Sequence, residues 1–476
     1  MDLDARTCYR ALETRDRRFD GRFFTGVLTT GIYCRPICPA RTPGRRNVRF
    51  YACAAAAEAA GFRPCRRCRP ETAPGTPAWA GGTTVVQRAL RLIQSGAVDE
   101  KGLDGLAARV GLGERQLRRL FEQHLGATPA AVARARRVHF ALSLVEQTDL
   151  RLADVAFASG FGSLRQFNDT IKATCGRPPR ALRQRPSAIP RGTARPIGLR
   201  LAYRPPFDWT RLLAFLGARA VPGVEQVRDG VWSRTIRAGR AAGWVSVSHE
   251  AGAAALRVEV SLPSAEPLMA AVARVRRVFD LDADPLRIHR HLKAHPLLAA
   301  AVARSPGLRV PGAWDPFELA VRAIVGQQVS VKGATTLAGR IAARCGVPVT
   351  PALPGLTHLF PDAPMLAGAD LSGLGLTRRR IATIQTLATA VADGAIRFEA
   401  PHGADEIAAA LSRLPGIGDW TAQYIAMRAL GDPDALPAGD LALRRAAGGL
   451  SERALTDAAE AWRPWRSYAA MYLWSL

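Results

Sequence analysis

Residues 63–70 read Arg-Pro-Cys-Arg-Arg-Cys-Arg-Pro (RPCRRCRP), which places the thiols of Cys65 and Cys68 among four arginines. A second pair of cysteines, Cys34 and Cys38, precedes the first by 26 intervening residues. Two close cysteine pairs supply the number and grouping of ligands that a tetrahedral zinc site needs. The spacing therefore predicts one Zn²⁺ bound by these four side chains, and spacing alone favours a structural site over a reactive one.

The charge of the chain indicates a polyanionic partner. Its 476 residues carry a formal net charge of +26, which favours nucleic acid. Residues 1–200 hold 35 Lys and Arg against 16 Asp and Glu, so most of the basic excess lies there. The N-terminus is acidic and no uncharged apolar run reaches about 18 residues, so we expect no membrane insertion and a cytoplasmic protein. In that compartment close cysteine pairs favour metal binding over disulfides.

Changes of composition at residues 70–82, 185–196 and 304–314 indicate linkers. We predict a multidomain α+β protein, because a chain of this length exceeds what one hydrophobic core supports. The predicted domains are a small zinc domain (1–78), an all-α double helix-turn-helix domain (82–188), an α+β domain (196–305) and an all-α helix-hairpin-helix domain (306–476).

The text around the cysteines resembles the N-terminal domain of the Ada DNA repair proteins, in TTGIYCRPICPAR at 29–41 and AAGFRPCRRC at 59–68. The resemblance implies that Cys34 accepts a methyl group from a methyl phosphotriester in DNA. Zinc would then be both structural and nucleophile-activating, because it keeps a thiol deprotonated at neutral pH. Four residues match the positions that contact DNA phosphate in that family. For any single arginine among them, a solvated surface charge is the alternative interpretation. These residues are Thr30, Arg41, Arg63 and Arg67.

Two helix-turn-helix units are predicted at 103–129 and 152–179, because each has apolar residues at helical spacing around a glycine turn. Joined by a helical stretch around 129–147, they resemble the AraC/XylS transcription regulators. The resemblance implies that the second helices, near 114–123 and 163–174, enter the major groove of promoter DNA, and that RNA polymerase is a partner. The side chains expected to face the groove are Arg115, Arg118, Arg119, Arg165 and Gln166.

Residues 197–290 mix two periodicities. WVSVSHE and LRVEVSL alternate as half-buried strands do, and EPLMAAVARVRRVFDL has helical spacing. LAYRPPFDWTRLLAFLGARAV and RVFDLDADP resemble the N-terminal domain of AlkA-type DNA glycosylases. We expect no catalytic chemistry in this stretch.

LPGIGDWTAQYIAMRALG at 414–431 predicts two helices joined by a tight hairpin, in which backbone N–H groups at Gly416 and Gly418 bind a DNA phosphate. With Asp440 following, the stretch resembles the helix-hairpin-helix glycosylase superfamily. The resemblance implies that Asp440 stabilises the oxocarbenium-like sugar as the C1′–N bond breaks. Asp440 also opens a helix, so it is equally an N-cap, and both roles can hold. Trp420 occupies the position of the lysine of bifunctional members, which implies a monofunctional hydrolase.

The same resemblance implies a base pocket, a wedge and an ion site. Aromatic rings bind electron-poor alkylated bases well, although core packing is the alternative for Tyr424 and Trp465. The three matching pocket residues are Trp420, Tyr424 and Trp465. Gln327 and Gln328, in AIVGQQVSVKGA, match the loop that fills the space left by the flipped base. The carbonyls that match a possible monovalent-cation site belong to Ser412, Leu414 and Gly416.

Together these resemblances imply a fusion of Ada-type and AlkA-type modules that acts on double-stranded DNA, both alkylated and promoter. It would accept methyl groups on Cys34, activate transcription, and excise bases of the 3-methyladenine and 7-methylguanine type. The alternative is a DNA-binding regulator with a structural zinc site and an inactive glycosylase-like domain.

Overall fold

The computed structural model describes residues 4–74, 84–183, 196–238, 241–350, 353–398 and 404–476, so the first two predicted linkers lie largely outside the described residues. The chain forms two compact units. The first unit consists of Met1–Pro205, Glu250–Ala273 and Leu281–Ala283, and the second consists of Pro206–His249, Arg274–Asp280 and Asp284–Leu476. The border between them passes through the predicted third domain, and the four domain borders stay a prediction.

The N-terminal part of the first unit is a small sheet flanked by two helices. β1 pairs antiparallel with β2 and β3, and β2 pairs parallel with β4, in the order β3-β1-β2-β4. β1 carries Gly26, where a Cβ atom would lie 2.9 Å from the rings of Phe62 and Tyr51, so only glycine fits there. The elements are α1 (Ala5–Glu13), β1 (Phe24–Val27), β2 (Ile32–Cys34), β3 (Val48–Tyr51), α2 (Ala54–Ala59) and β4 (Arg63–Pro64).

Seven helices follow in the same unit and confirm the two helix-turn-helix units. The turns contain Gly111 (φ 71°) and Gly160 (φ 74°), a left-handed conformation that glycine adopts without steric cost. Leu117 and Phe121 bury the inner face of the first recognition helix, and Phe167 and Ile171 that of the second. The helices are α3 (Thr84–Ser95), α4 (Ala97–Arg109, kinked at Gly102), α5 (Glu114–Leu125), α6 (Pro129–Gln147), α7 (Leu152–Ala158), α8 (Leu164–Cys175) and α9 (Pro179–Leu182).

The next stretch combines strands and helices, as predicted from its mixed periodicity. β5 pairs antiparallel with β9, and β7 pairs antiparallel with β6 and β8. Its elements are β5 (Ile197–Ala202), α10 (Trp209–Ala218), β6 (Glu225–Arg228), β7 (Val231–Ala238), β8 (Ala241–Glu250), β9 (Ala255–Ser261), α11 (Leu268–Val278), α12 (Pro285–Lys293) and α13 (Pro296–Arg304).

The C-terminal part of the second unit is almost entirely helical, which together with the preceding parts confirms the predicted fold class. No helix in the described part of the chain is long and apolar enough to span a bilayer. The elements are α14 (Pro316–Val325), α15 (Val331–Cys345), β10 (Val347–Pro348), β11 (His358–Leu359), α16 (Ala363–Ala367), α17 (Arg378–Ala392), α18 (Ala404–Ser412), α19 (Asp419–Arg428), α20 (Leu441–Ala446), α21 (Glu452–Ala459) and α22 (Arg466–Leu473).

Candidate functional sites

The parallel pairing of β2 with β4 brings the two cysteine pairs together. Tyr33 and Pro64 are partners in this register, so Cys34 and Cys65 follow at adjacent strand ends, and the Cys65 amide donates to the Tyr33 carbonyl at 3.0 Å. Cys38 lies one turn beyond Cys34, its amide bonded to the Arg35 carbonyl at 3.2 Å. A second turn carries Cys68.

The four thiols form one compact cluster. Their Sγ atoms all lie within 4.8 Å of one another. All four side chains are buried, and Cys34 is the most exposed at 9 %. A hydrogen bond from the Cys34 thiol lowers the pKa of Cys38 below its ordinary value. Four thiols at this separation match the donor set of a tetrahedral Zn(Cys)4 site, so the residues present fit a zinc ion.

Arg35 stabilises this cluster through hydrogen bonds, a role that the sequence analysis did not predict. The side chain is only 8 % exposed, and its Nε donates to Asp20 Oδ1 at 2.8 Å. Its Nη1 donates to the Cys68 carbonyl at 3.0 Å and to Thr72 Oγ1 at 2.7 Å, while its backbone amide donates to Cys68 Sγ at 3.3 Å. Arg35 therefore fixes the turn that presents Cys68.

The residues predicted to contact DNA phosphate near this cluster are all exposed. Arg63 lies in β4 and Arg67 in the turn between Cys65 and Cys68, while Thr30 and Arg41 flank the first cysteine pair in sequence. Exposed guanidinium groups beside a buried thiol cluster are compatible with phosphate binding, and their contacts with DNA stay a prediction.

A half-buried polar network connects the strand of Cys34 to the helix-turn-helix part of the first unit. The Tyr33 hydroxyl donates to Glu58 Oε1 at 2.8 Å, and His139 Nε2, from α6, lies 3.1 Å from that hydroxyl and 3.2 Å from Glu58 Oε1. Burial would lower the pKa of His139, but its hydrogen bond to Glu58 and the charge of that carboxylate outweigh burial and raise it. Cys53, Ala55 and Ala56 also share an apolar core with α5.

The predicted recognition helices present their polar side chains to solvent. α5 and α8 begin and end within two residues of the predicted limits. Ser163 caps α8 by accepting from the Gln166 amide at 3.1 Å, and the Gln166 side chain accepts from the Gly162 amide at 3.1 Å. The five predicted groove-facing residues are exposed: Arg115, Arg118, Arg119, Arg165 and Gln166.

In the second unit, Asp440 is held by three donors. Trp420 Nε1 donates to Oδ2 at 3.0 Å, and Trp474 Nε1 donates to Oδ1 at 3.0 Å. The Leu443 amide donates to Oδ1 at 2.8 Å, so Asp440 is also the N-cap of α20, as predicted. Two indole N–H groups fix both carboxylate oxygens, which is more than a cap requires.

Asp440 lines a cavity of about 810 Å³ within this unit. Trp420 and Tyr424 also line it, with stacked rings whose centroids are 5.6 Å apart. Trp465, the third predicted pocket residue, is not among the described residues that line the cavity; it is 2 % exposed and packs edge-on against Tyr468. Trp474 lines the cavity instead, nine residues further along the chain.

The cavity also has a basic wall that the sequence did not reveal. Phe215 and Arg219, at the end of α10, line it together with Arg428. Arg428 donates to the Tyr424 hydroxyl at 2.6 Å. Burial would raise the pKa of Tyr424, but the charges of Arg428 and Arg219 outweigh burial and lower it. The stretch 197–290, in which we expected no catalytic chemistry, thus contributes side chains from the end of α10 to the wall of the cavity.

The predicted wedge loop lies between α14 and α15. Gln327 Nε2 donates to the Gly416 carbonyl at 2.9 Å and to Thr421 Oγ1 at 3.1 Å, so this side chain ties the loop to the hairpin. Gln328 is exposed and has a φ of 56°, a strained conformation for a residue other than glycine. Such strain at a loop tip is compatible with the predicted wedge role of Gln328.

The hairpin between α18 and α19 contains a close approach at Gly416. Its φ is 89°, and a Cβ atom there would lie 2.1 Å from Thr383 Oγ1, so both backbone and space require glycine. Gly418 is exposed and precedes the first turn of α19. The Gly416 carbonyl accepts from Gln327 and the Leu414 carbonyl from the Ile417 amide at 3.1 Å. The carbonyl groups of Ser412, Leu414 and Gly416 remain the predicted ligands of a monovalent cation.

Three family models match the chain. Residues 7–71 match the metal binding domain of Ada, residues 106–185 match a helix-turn-helix domain, and residues 198–315 match the AlkA N-terminal domain. The confirmed expectations are thus an Ada-type metal-binding domain, a helix-turn-helix domain and an AlkA-type domain in one chain.

Individual relatives cover the whole chain or its C-terminal part. The probable bifunctional transcriptional activator/DNA repair enzyme AlkA of Mycobacterium tuberculosis is 47 % identical over 482 residues, which cover 100 % of this chain and 97 % of the relative. DNA-3-methyladenine glycosylase 2 of Escherichia coli is 34 % identical over 278 residues, 58 % of this chain and 95 % of the relative. The solved 3-methyladenine DNA-glycosylase from Archaeoglobus fulgidus is 26 % identical, with a TM-score of 0.50, and covers 58 % of this chain and 96 % of that structure's chain.

Proposed function

Because the chain belongs to the family of bifunctional transcriptional activators and DNA repair enzymes, we propose that Cys34 is its methyl acceptor and Asp440 its glycosylase carboxylate. The chain unites Ada-type methyl transfer, helix-turn-helix DNA binding and DNA-3-methyladenine glycosylase activity. One observation carries the proposal for the glycosylase: both oxygens of Asp440 are fixed by indole N–H groups at the wall of a cavity.

At the cysteine cluster, Cys34 Sγ would attack the methyl carbon of a DNA methyl phosphotriester. The S–C bond forms as the C–O bond breaks, and the electron pair stays on the phosphodiester oxygen. Cys34, Cys38, Cys65 and Cys68 would hold a zinc ion, which would supply the positive charge that keeps the thiols ionised. The transfer is stoichiometric, because the thioether product is a poor leaving group. Exposed Arg63 and Arg67 would position the phosphate.

Methylation would also act as an electrostatic switch. Four thiolates with one Zn²⁺ leave two net negative charges, and methylation of Cys34 removes one. A phosphate at ~10 Å would then feel about 1 to 2 kcal/mol less repulsion at an effective dielectric of ~20 to 40. Tighter binding of α5 and α8 to promoter DNA would activate transcription by recruiting RNA polymerase.

In the second unit, Asp440 would stabilise positive charge on the sugar as the C1′–N bond breaks, and water would then add to C1′. Trp420 and Tyr424 would stack on the extruded base, as electron-rich rings do with electron-poor alkylated bases such as 3-methyladenine and 7-methylguanine. A tryptophan stands where an attacking lysine would be needed, so the reaction is hydrolysis without strand cleavage. Gln328 would fill the space left in the duplex.

Incubation of the full chain with DNA treated with a methylating agent tests both assignments. We expect abasic sites without strand breaks, and a mass gain of one methyl group that peptide mapping places on Cys34. A methyl group on Cys38, Cys65 or Cys68 would remove the acceptor assignment, and strand cleavage would remove the monofunctional one.

A further inference from the structure

Arg204, a fully buried arginine of the first unit, joins the part that holds the cysteine cluster to the AlkA-type part. It lies two residues after β5 and is 0 % exposed. Its Nε donates to the Asp20 carbonyl at 2.9 Å, and its Nη2 donates to the Pro74 carbonyl at 3.4 Å. Its Nη1 donates to the Asp282 carbonyl at 2.9 Å. One guanidinium group therefore holds backbone from three separate segments of the chain.

The surroundings of Arg204 are suited to a guanidinium group. Gly21 has a φ of 71°, and a Cβ atom there would lie 2.1 Å from the Pro74 carbonyl oxygen and 2.8 Å from Arg204 Nη2, so glycine is required beside it. A buried carbonyl that loses its donor keeps the full cost of desolvation. The planar guanidinium presents five N–H donors and can serve several acceptors at once, whereas lysine offers one compact ammonium group.

Asp20 extends this contact to the cysteine cluster. Its backbone carbonyl accepts from Arg204, while its carboxylate accepts from Nε and Nη2 of Arg35. Arg35 in turn donates to the Cys68 carbonyl at 3.0 Å and, through its backbone amide, to Cys68 Sγ at 3.3 Å. Asp20 is 5 % exposed and Arg35 is 8 % exposed, so water has little access to these contacts. A displacement of Asp20 would thus move the side chain that fixes Cys68.

We propose that Arg204 is a positioning residue of the cysteine cluster and acts through Asp20 and Arg35, so that the AlkA-type part of the chain completes the methyl-acceptor site. The inference rests on the zinc site and the methyl acceptor of the proposed function. Loss of a residue that orients metal ligands from outside the ligand shell lowers metal affinity or activity by about 10- to 100-fold. Because Arg204 lies one contact further out than Arg35, its loss should fall at the lower end of this range.

The zinc affinity of the full chain, measured by competition with a chromophoric chelator, tests this role together with methyl uptake and 7-methylguanine release. Arg204→Gln should lower zinc affinity about 10-fold and slow methyl uptake, because buried carbonyls lose their donor. Base release should stay within about threefold of wild type, because Asp440 lies in the second unit. Gln147→Ala is the matched control: it removes the hydrogen bond from the Arg200 amide to Gln147 Oε1 (2.8 Å), another contact to β5, and should leave zinc affinity unchanged.

A double-mutant cycle separates the proposed path from a general loss of stability. Arg35→Gln alone should lower zinc affinity by about 10- to 100-fold, and the addition of Arg204→Gln should lower it little further, because both act on the same contact. Effects that multiply would show that Arg204 acts independently of Arg35 and would overturn the proposal. Wild-type zinc affinity in Arg204→Gln, or a loss of base release as large as the loss of methyl uptake, would also overturn it.

If Arg204→Gln does not fold, Arg204→Lys decides, because lysine keeps the charge but loses the planar set of donors. It should still bind zinc more weakly than the Gln147→Ala control, and equal affinities would contradict the role of Arg204. A wild-type chain that binds zinc but takes up no methyl overturns the proposed acceptor, while zinc affinity still decides the role of Arg204. A wild-type chain that binds no zinc overturns both.

Discussion

The cysteine cluster of the first unit and the cavity of the second are both buried polar sites, but they differ in what completes them. Four thiols within 4.8 Å offer donors and no cation of their own, so under the proposed function that site needs a metal to become a charged nucleophile. Asp440 instead receives three protein hydrogen bonds, from Trp420, Trp474 and Leu443. The first site therefore depends on zinc, and the second is assembled by the chain alone.

Removal of zinc with a chelator should produce the largest difference between the activities of the two sites. The binding energy of a structural zinc is folding energy, about 10 to 16 kcal/mol in small zinc domains, so methyl uptake should be abolished. Release of 7-methylguanine should continue, because no cysteine of the cluster lies in the second unit. Methyl uptake and base release can be measured on the same sample, and parallel loss of both would contradict the difference between the sites.

Asp440→Asn should lower base release on the order of 10²- to 10³-fold, as loss of one preorganised electrostatic group does. DNA binding should change little, because the stabilisation acts mainly in the transition state. Asn caps helices as well as Asp does, so a purely capping role predicts near-wild-type release. Asp362→Asn is a matched control, because Asp362 caps α16 by accepting from the Met365 amide at 3.2 Å.

Methylated protein should bind promoter DNA about 30- to 700-fold more tightly than unmethylated protein at low salt, if two phosphates are each relieved of about 1 to 2 kcal/mol of repulsion. The difference in DNA affinity between the methylated and unmethylated forms should decrease as the salt concentration rises, because salt screens the repulsion between the cluster and the phosphates in both forms. Titrations at two salt concentrations measure it. Equal affinities at low salt would show that loss of charge at Cys34 does not drive the switch.

The smallest expected effect concerns His139. Because its pKa is raised in the folded state, its bond to Glu58 stabilises the first unit fully below pH 6.5. That stabilisation, about 1 kcal/mol, is lost as the pH rises through the raised pKa. Wild-type stability should therefore fall on raising the pH above 6.5, while His139→Gln should show a flatter profile. Identical profiles in urea unfolding would show that the network contributes no such coupling.

The clustering of the four thiols could be predicted because the spacing within each cysteine pair is local. The place of Asp440 at the start of α20 could be predicted because Asp is a preferred N-cap residue. The partners of these residues could not be predicted. Glu58 and His139 are 81 residues apart, and no short motif connects them. Arg219 comes from a helix that precedes Asp440 by more than 200 residues. Polar contacts between residues so far apart in the sequence depend on how the elements pack together, and the spacing of apolar residues does not reveal them.

Trp465 shows a second limit of prediction from the sequence. The sequence RPWRSYAAMYLW contains two tryptophans, and the family resemblance favoured the first, whereas the structure buries Trp465 and places Trp474 at the cavity. Both flank α22, in which every residue from Ser467 to Leu473 is buried, so the sequence pattern could not separate a core ring from a ring that lines the cavity.

The most direct measurement crosses two variants on one methylated DNA substrate, with Cys34→Ser and Asp440→Asn each scored for methyl uptake and for base release. Cys34→Ser should take up no methyl at residue 34 and release bases at the wild-type rate, and Asp440→Asn should do the reverse. Loss of both activities in either variant, or retention of both in either, would contradict the assignment of one reaction to each site.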